Sequence, residues 1–487
     1  MLDRLATACW GGALLMLPWI GVGVARLVTG RDLGAGLQPA YLLLALAMVC
    51  QALHLLRERA LLATVRAAPR AWVIGAAACL TAVLLSGLGL LVAPTAQTGA
   101  EVWGRFAKQV VQLLIMGCFL LWAAGWTRGR HRWRLTVACL AAGLVVQTVY
   151  GLLQGVAYYR PLPVYGALET VFTSNPAILA GSTQLYLGDR FLDVPRLRGT
   201  AAEPLYLGNY LLLVWPWLLA GPLGGRLRRT LLVAAAGLLL ATWSRGAWVG
   251  LLAQLGLWWW LSRPQRRSGP ARPGRPERRR HVPSRRRWLL VAAGVLIVLI
   301  AAGLLGSWHW LLWPARRLAQ SFSTQDWSNL TRLYSMQAAW RAWLLSPIVG
   351  VGWGQYAFHF PLLVDPMGLQ SQFAWPVVNN LPLAVLCETG LLGFAVWSAC
   401  GLGAVRAIRE ALSRAVAAGA NDQPRRLVLA CVAATGVAIQ LLTFSQWNLP
   451  HIWVAPGLVL AALGEIRSRT NEDGRPATAP WREAGSS

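Results

Sequence analysis

Arg245 interrupts one of the most apolar stretches of the chain. It lies in Thr242-Trp243-Ser244-Arg245-Gly246-Ala247-Trp248, between the apolar runs Leu231–Ala241 and Val249–Leu261. Each run has little length to spare for a bilayer, and fused they are too long for one ordinary helix, so a tight hairpin follows. A permanent positive charge at a membrane surface is costly unless something uses it. Guanidinium groups bind oxyanions with paired, charge-assisted hydrogen bonds, so the chemistry to look for is anion binding.

Other segments carry groups suited to the same task. Arg196-Leu197-Arg198-Gly199-Thr200-Ala201-Ala202-Glu203-Pro204 leads into an apolar run, and its glycine and proline allow a bent entry that brings Arg198 to the membrane surface, with Glu203 beside it. Arg196 and Arg198 read equally well as solvated loop charges paired with nearby acids. Thr331–Ser346 reads as a helix, with Leu333, Met336, Trp340, Trp343 and Leu344 near helical spacing, an apolar face suited to the membrane interface or the bundle. Arg332 and Arg341 lie on opposite faces of it. Arg341 suits the C-terminal end of the helix dipole, whereas Arg332 sits in the first turn, where a cation is disfavoured and a functional partner is the better explanation.

Pro347 ends this helix, and Ile348-Val349-Gly350-Val351-Gly352-Trp353-Gly354 follows as a tight turn, a weak phosphate-loop signal that a plain re-entrant turn explains as well. Asn379 and Asn380 stand at a helix entrance, where asparagines are often N-caps. Glu388 falls about two turns further on, inside an apolar run, and needs a partner such as an outward-facing arginine. His451 follows Pro450 at another entrance. It offers a base or a substrate contact, although a structural role weighs more.

Several classes of chemistry lack their residues. The chain has no Walker-type phosphate loop, no HExxH and no Asp-x-Asp in its outer loops, and Asp189 and Asp193 make weak metal spacing. The eight cysteines all lie inside apolar runs as small core residues, and no pair suggests a disulfide or metal site. Neither a metal nor a cofactor is expected.

The elements that must position these groups are apolar helices. Of 487 residues 56% are hydrophobic and 13% charged, yet the net charge is +27, carried almost wholly by arginine; Lys108 is the lone lysine. The basic residues cluster between apolar runs, so the positive-inside rule accounts for them and nucleic acid is not needed. The runs predict an all-α integral membrane fold of about twelve transmembrane helices, near 6–25, 40–56, 72–92, 110–126, 135–156, 205–219, 231–243, 247–261, 288–306, 380–404, 427–444 and 452–463. Helices thus fill 1–156, 205–306 and 380–466. A first outer loop covers 157–204, a cytoplasmic Arg/Pro-rich insert 262–287, a large, partly helical extracytoplasmic loop 307–379 between the ninth and tenth spans, and a cytoplasmic tail 467–487. Arginine-rich connections alternate, which puts both termini inside and Arg245 outside. The insert is expected to be largely disordered and to meet anionic lipid headgroups.

Taken together, the segments resemble the O-antigen ligase and polymerase family, polytopic (GT-C-like) glycosyltransferases of the bacterial envelope. The matching pieces are Arg198-Gly199-Thr200 with Pro204, Trp243-Ser244-Arg245-Gly246-Ala247, Arg332 leading through Pro347 to Gly350-Val351-Gly352, and Asn380-Leu381 with Glu388-Thr389-Gly390-Leu391-Leu392-Gly393. The resemblance implies a glycan carried on undecaprenyl diphosphate and moved to an acceptor hydroxyl at the outer face of the bacterial inner membrane. The acceptor is a glycan, lipid or protein, other membrane lipids surround it, and no metal takes part. Arg245, Arg332 and Asn379 would then be catalytic, with Arg198, Glu203, Asn380, Glu388 and His451 binding substrate. One departure stands out: the family's usual histidine falls on Asn379, which can hydrogen-bond an acceptor but cannot take its proton at neutral pH. Glu203 or His451 could serve as base, or Asn379 could position an acceptor in a reaction driven mainly by leaving-group stabilisation, or this member is impaired or specialised.

Two other classes remain open on sequence. A transporter or lipid flippase would bury charges at mid-membrane and show inverted repeats with broken helices, and no clear repeat is present. A non-catalytic scaffold of an envelope polysaccharide complex is compatible with Asn379. Ligase, polymerase and protein-glycosylating activities differ in the acceptor, and the sequence does not separate them.

Overall fold

The computed structural model describes residues 1–23, 38–58, 70–93, 95, 99–173, 196–219, 223–262, 327–364, 376–417 and 422–472. Every apolar run within them holds a helix; the run at 288–306 and the insert at 263–287 lie outside them. In chain order the helices are α1 (Leu2–Leu15), α2 (Pro39–Arg57), α3 (Arg70–Leu85), the one-turn α4 (Gly89–Val92), α5 (Gly99–Trp126), α6 (Arg130–Tyr159) and α7 (Pro163–Phe172). They continue with α8 (Pro204–Leu218), α9 (Gly225–Ala241), α10 (Arg245–Ser262), α11 (Trp327–Leu345), α12 (Tyr356–Leu363), α13 (Leu381–Ala417), α14 (Asp422–Gln440) and α15 (Pro450–Glu472).

Five helical segments among the described residues, Pro39–Arg57, Arg70–Val92, Gly99–Trp126, Arg130–Tyr159 and Leu381–Arg414, are long and apolar enough to cross a membrane. The run expected at 6–25 is helical only to Leu15. Pro18 disfavours a further turn, because it lacks an N–H and its ring crowds the preceding turn, and the chain beyond it turns so that Gly23 N donates to Val171 O at 2.9 Å.

The chain forms two compact units, Met1–Trp258 with Arg332–Ser487, and Trp259–Thr331. The described part of the second unit is the last turn of α10 and the first of α11. In the first unit α1 packs on α2, α15 lies against α5 and α14, α8 against α14, and α13 against α3.

Its polarity is the reverse of a water-soluble bundle. Leu42, Val49, Leu53 and Leu56 of α2 and Val73 and Ile74 of α3 face outward, while Gln147, Gln154, Asn209, Gln254 and Gln440 are fully buried. In hydrocarbon an unpaired amide is costly, so each of these is hydrogen-bonded within the bundle. Gln254 of α10 donates to Leu212 O of α8 at 2.8 Å and to Val432 O of α14 at 3.0 Å, tying three helices together. The thiols of Cys79 (α3) and Cys400 (α13) lie 3.7 Å apart, hydrogen-bonded and without a disulfide, a proximity that a separation of 321 residues hides from the sequence.

Helix α11 forms where expected, but it turns its small residues inward. Ser335, Ala338, Ala339 and Ala342 are buried, whereas Leu333, Trp340 and Leu344 are exposed. Small side chains let this helix approach the bundle closely, and the large apolar ones are left for a lipid-like surrounding.

Candidate functional site

The hairpin between α9 and α10 is as tight as its length requires. Thr242 N returns to Leu238 O, Trp243 N to Leu240 O, and Ser244 N donates to Thr242 Oγ1 at 3.2 Å. Trp243 has φ 51°, the single non-glycine residue with positive φ among the described residues, so the turn is held in a conformation that costs energy. Ser244 caps α10, its Oγ accepting from Ala247 N at 3.4 Å and its carbonyl from Trp248 N. Arg245 is therefore the first residue of α10, and it is 7% exposed. A guanidinium at a helix N-terminus works against the dipole, so its place there is not set by the dipole.

The C-terminal turn of α14 links this hairpin to the asparagines. Gln440 Nε2 donates to Ser244 Oγ at 3.4 Å, and Gly246 packs so closely on Thr443 that a Cβ there would lie 2.3 Å from Thr443 Oγ1. From the same turn Leu441 O accepts from Leu381 N at 2.9 Å and Leu442 O from Asn380 Nδ2 at 3.1 Å. Asn380 Oδ1 accepts from Leu383 N at 2.9 Å, so Asn380 is an N-cap and a cross-link at once.

Asn379 is joined in turn to α11. Ser335 Oγ donates its one proton to Arg332 O at 2.8 Å and accepts from Asn379 N at 3.3 Å and Asn379 Nδ2 at 3.1 Å. With that proton committed, Asn379 must offer its amide NH₂ to Ser335, which leaves Oδ1 for another partner. The Arg245 hairpin, the Asn379–Asn380 entrance and the Arg332 turn are thus connected by short polar links.

Glu388 serves the glycine-rich turn. Its Oε1 accepts from Tyr356 N, the first amide of α12, at 3.3 Å, and its carbonyl from Gly352 N at 3.0 Å. Val351 N bonds Cys387 O, Leu391 N bonds Pro347 O and Leu392 N bonds Ile348 O, all at 2.9–3.0 Å. Gly390, at φ 64°, kinks α13 to make this stitching possible. The arginine facing Glu388 is Arg105 of α5, whose Nε also donates to Gly354 O at 2.5 Å. Sequence reasoning did not single out Arg105. The signal was available: Arg105 and Lys108 are basic residues at the end of a span where the positive-inside count predicts none.

The two arginines of the segment that leads into α8 differ. Arg198 is 0% exposed and ion-paired with Glu169 of α7, and its Nη1 donates to Ala201 O at 3.1 Å. Glu169 also accepts from Tyr150 OH. Gln154 Oε1 accepts from Gly199 N at 2.9 Å, and Gln147 from Thr200 N at 2.9 Å, so this turn is latched onto α6. Arg196 instead reaches the hairpin, donating to Thr242 O at 3.4 Å. Glu203, the N-cap residue of α8, is held above the ordinary carboxyl range by burial, which Arg196 partly offsets.

His451 is brought to none of these groups directly. It is 0% exposed in the first turn of α15, with its Nε2 3.0 Å from Asn209 Oδ1 and its ring edge-on to Tyr210.

Residues 230–398 match the family model described as O-Antigen ligase. None of the curated proteins matches the chain. The matched segment contains Arg245, Arg332, Asn379, Asn380 and Glu388, and stops short of Arg198, Glu203 and His451.

Proposed function

We propose that this chain, a member of the O-antigen ligase and polymerase family through residues 230–398, transfers a glycan from undecaprenyl diphosphate to an acceptor hydroxyl at the outer face of the bacterial inner membrane. In the full reading about twelve spans carry the chain through the membrane, with both termini inside. The observation that carries the chemistry is the set of links joining the Arg245 hairpin, the Asn379–Asn380 entrance and the Arg332 turn.

In this reaction the bond from the sugar's anomeric carbon to the diphosphate oxygen breaks, and a bond to the acceptor oxygen forms. Negative charge grows on the diphosphate as it leaves. Arg245 and Arg332 bind its oxygens, and in a poorly hydrated site each such contact is stronger in the transition state than in the ground state. Asn379 Oδ1 accepts a hydrogen bond from the incoming hydroxyl and orients its oxygen. The proton passes to Glu203, whose raised proton affinity suits a base and which Arg196 links to the hairpin. Arg198 and Glu388 support the site from behind: one latches the first outer loop, the other the glycine-rich turn.

The test is transfer by the purified chain in proteoliposomes, supplied with a lipid-linked glycan and an acceptor. The account expects a new glycosidic linkage and released undecaprenyl diphosphate. Translocation of lipid without any new linkage would favour a flippase instead.

A further inference from the structure

Four buried polar side chains run through the interior of the bundle in single file. His451, Asn209 and Gln440 are 0% exposed and Ser244 is 4% exposed. Asn209 Nδ2 donates to Val437 O at 3.3 Å and Gln440 Oε1 at 3.1 Å. Gln440 Nε2 donates to Leu205 O at 3.0 Å and Ser244 Oγ at 3.4 Å. The carbonyls of Val437 and Leu205 can only accept, so they fix which way both amides face. Asn209 therefore turns Oδ1 to His451, which donates from Nε2 at 3.0 Å. Every link has the same polarity, from His451 of α15 through α8 and α14 to the cap of the helix that Arg245 opens.

An apolar filler would pack these positions without any hydrogen-bonding demand. A chain of fixed polarity, by contrast, allows one arrangement of the four elements and penalises any other, because a shifted link sets donor against donor. Its end is Ser244, one residue before Arg245, next to a backbone held at positive φ. A turn under strain keeps its geometry only where its surroundings over-determine it.

We infer that His451, Asn209 and Gln440 are positioning residues that act through Ser244 to aim Arg245 at the diphosphate. This rests on the reading of Arg245 as a diphosphate ligand. His451 thereby acts at a distance and touches no substrate.

The experiment is binding of undecaprenyl diphosphate to the full chain in lipid nanodiscs, with thermal unfolding followed in parallel. Asn209→Asp keeps the shape and the oxygen that His451 requires, but places oxygen against Gln440 Oε1. It should weaken binding about tenfold, and by less than about twofold in a Ser244→Gly background, where the chain has lost its end. Glycine still caps a helix tolerably, so that background folds. Gln440→Met removes the bond accepted from Asn209 and the two donated to Leu205 O and Ser244 Oγ, without adding a charge, and should behave alike if Asn209→Asp fails to fold. Wild-type affinity in both variants, or equal losses with and without Ser244, overturns this inference alone. A wild-type chain that does not bind undecaprenyl diphosphate overturns the underlying reading as well.

Discussion

Gly350 and Gly390 each occupy the space of the other's side chain. A Cβ on Gly390 would lie 2.2 Å from Ile348 O and 2.6 Å from Gly350 N, and one on Gly350 would lie 2.4 Å from the carbonyl carbon of Glu388. Both have positive φ, 77° and 64°. The glycine-rich turn and a segment that reads as the interior of an apolar run are therefore one backbone junction, and α12, Glu388 and the entrance of α13 are built on it.

Gly390→Ala should consequently be among the most disruptive small substitutions in the chain. It combines a left-handed conformation with an overlap against backbone that cannot yield, a cost of roughly 3 kcal/mol or more. Thermal unfolding in detergent measures it. A variant that melts like the wild type would mean the two backbones are not in contact.

Arg198→Ala should destabilise the chain by about 3–5 kcal/mol, because it leaves Glu169 buried without its cation. The double variant Arg198→Met with Glu169→Gln removes both charges and keeps an acceptor for Tyr150. It should recover folded protein and glycan transfer together. Recovery of folding without transfer would show that Arg198 touches the substrate.

Asn379→His restores a side chain able to take a proton. In an active transferase it should raise kcat about tenfold or more, since a positioned base contributes on the order of a hundredfold or better when fully effective. A scaffold gains nothing. Single-turnover rates on a fixed amount of folded protein decide between them.

Glu203 sets a pH dependence. Burial raises its proton affinity and Arg196 only partly opposes this, so the carboxyl stays protonated to a higher pH than an ordinary one. A base works only when deprotonated, so the acid limb of the rate profile should rise above the usual carboxylate range. Glu203→Gln should abolish that limb and lower kcat; an unchanged limb would remove Glu203 from the reaction.

Much of the frame is legible in the sequence because it depends on local length and composition. The Arg245 hairpin follows from two apolar runs that are each just long enough, and α11 and the entrance at Asn380 follow from helical spacing and capping chemistry. What escapes is pairing across distance. The acid that Arg198 pairs with, Glu169, stands 29 residues away, and the partner that gives His451 its structural role, Asn209, stands 242 residues away, so neither pairing can be read from local sequence. Arg105 escapes for the same reason: its partners, Glu388 and the Gly354 carbonyl, lie far along the chain. The spacing of α11 left its apolar face to either the membrane interface or the bundle; that face is exposed and the small residues go inward, which only the packing decides.

The central claim is that Arg245 binds the departing diphosphate, and the most direct test is the single-turnover transfer rate of Arg245→Ala in proteoliposomes. Loss of one such donor costs about 3 kcal/mol of transition-state stabilisation, so the rate should fall by roughly a hundredfold or more at wild-type folding and membrane level. Arg245→Lys should recover only part of it, because an ammonium lacks the paired donors. Transfer at the normal rate by a folded Arg245→Ala chain would contradict the account.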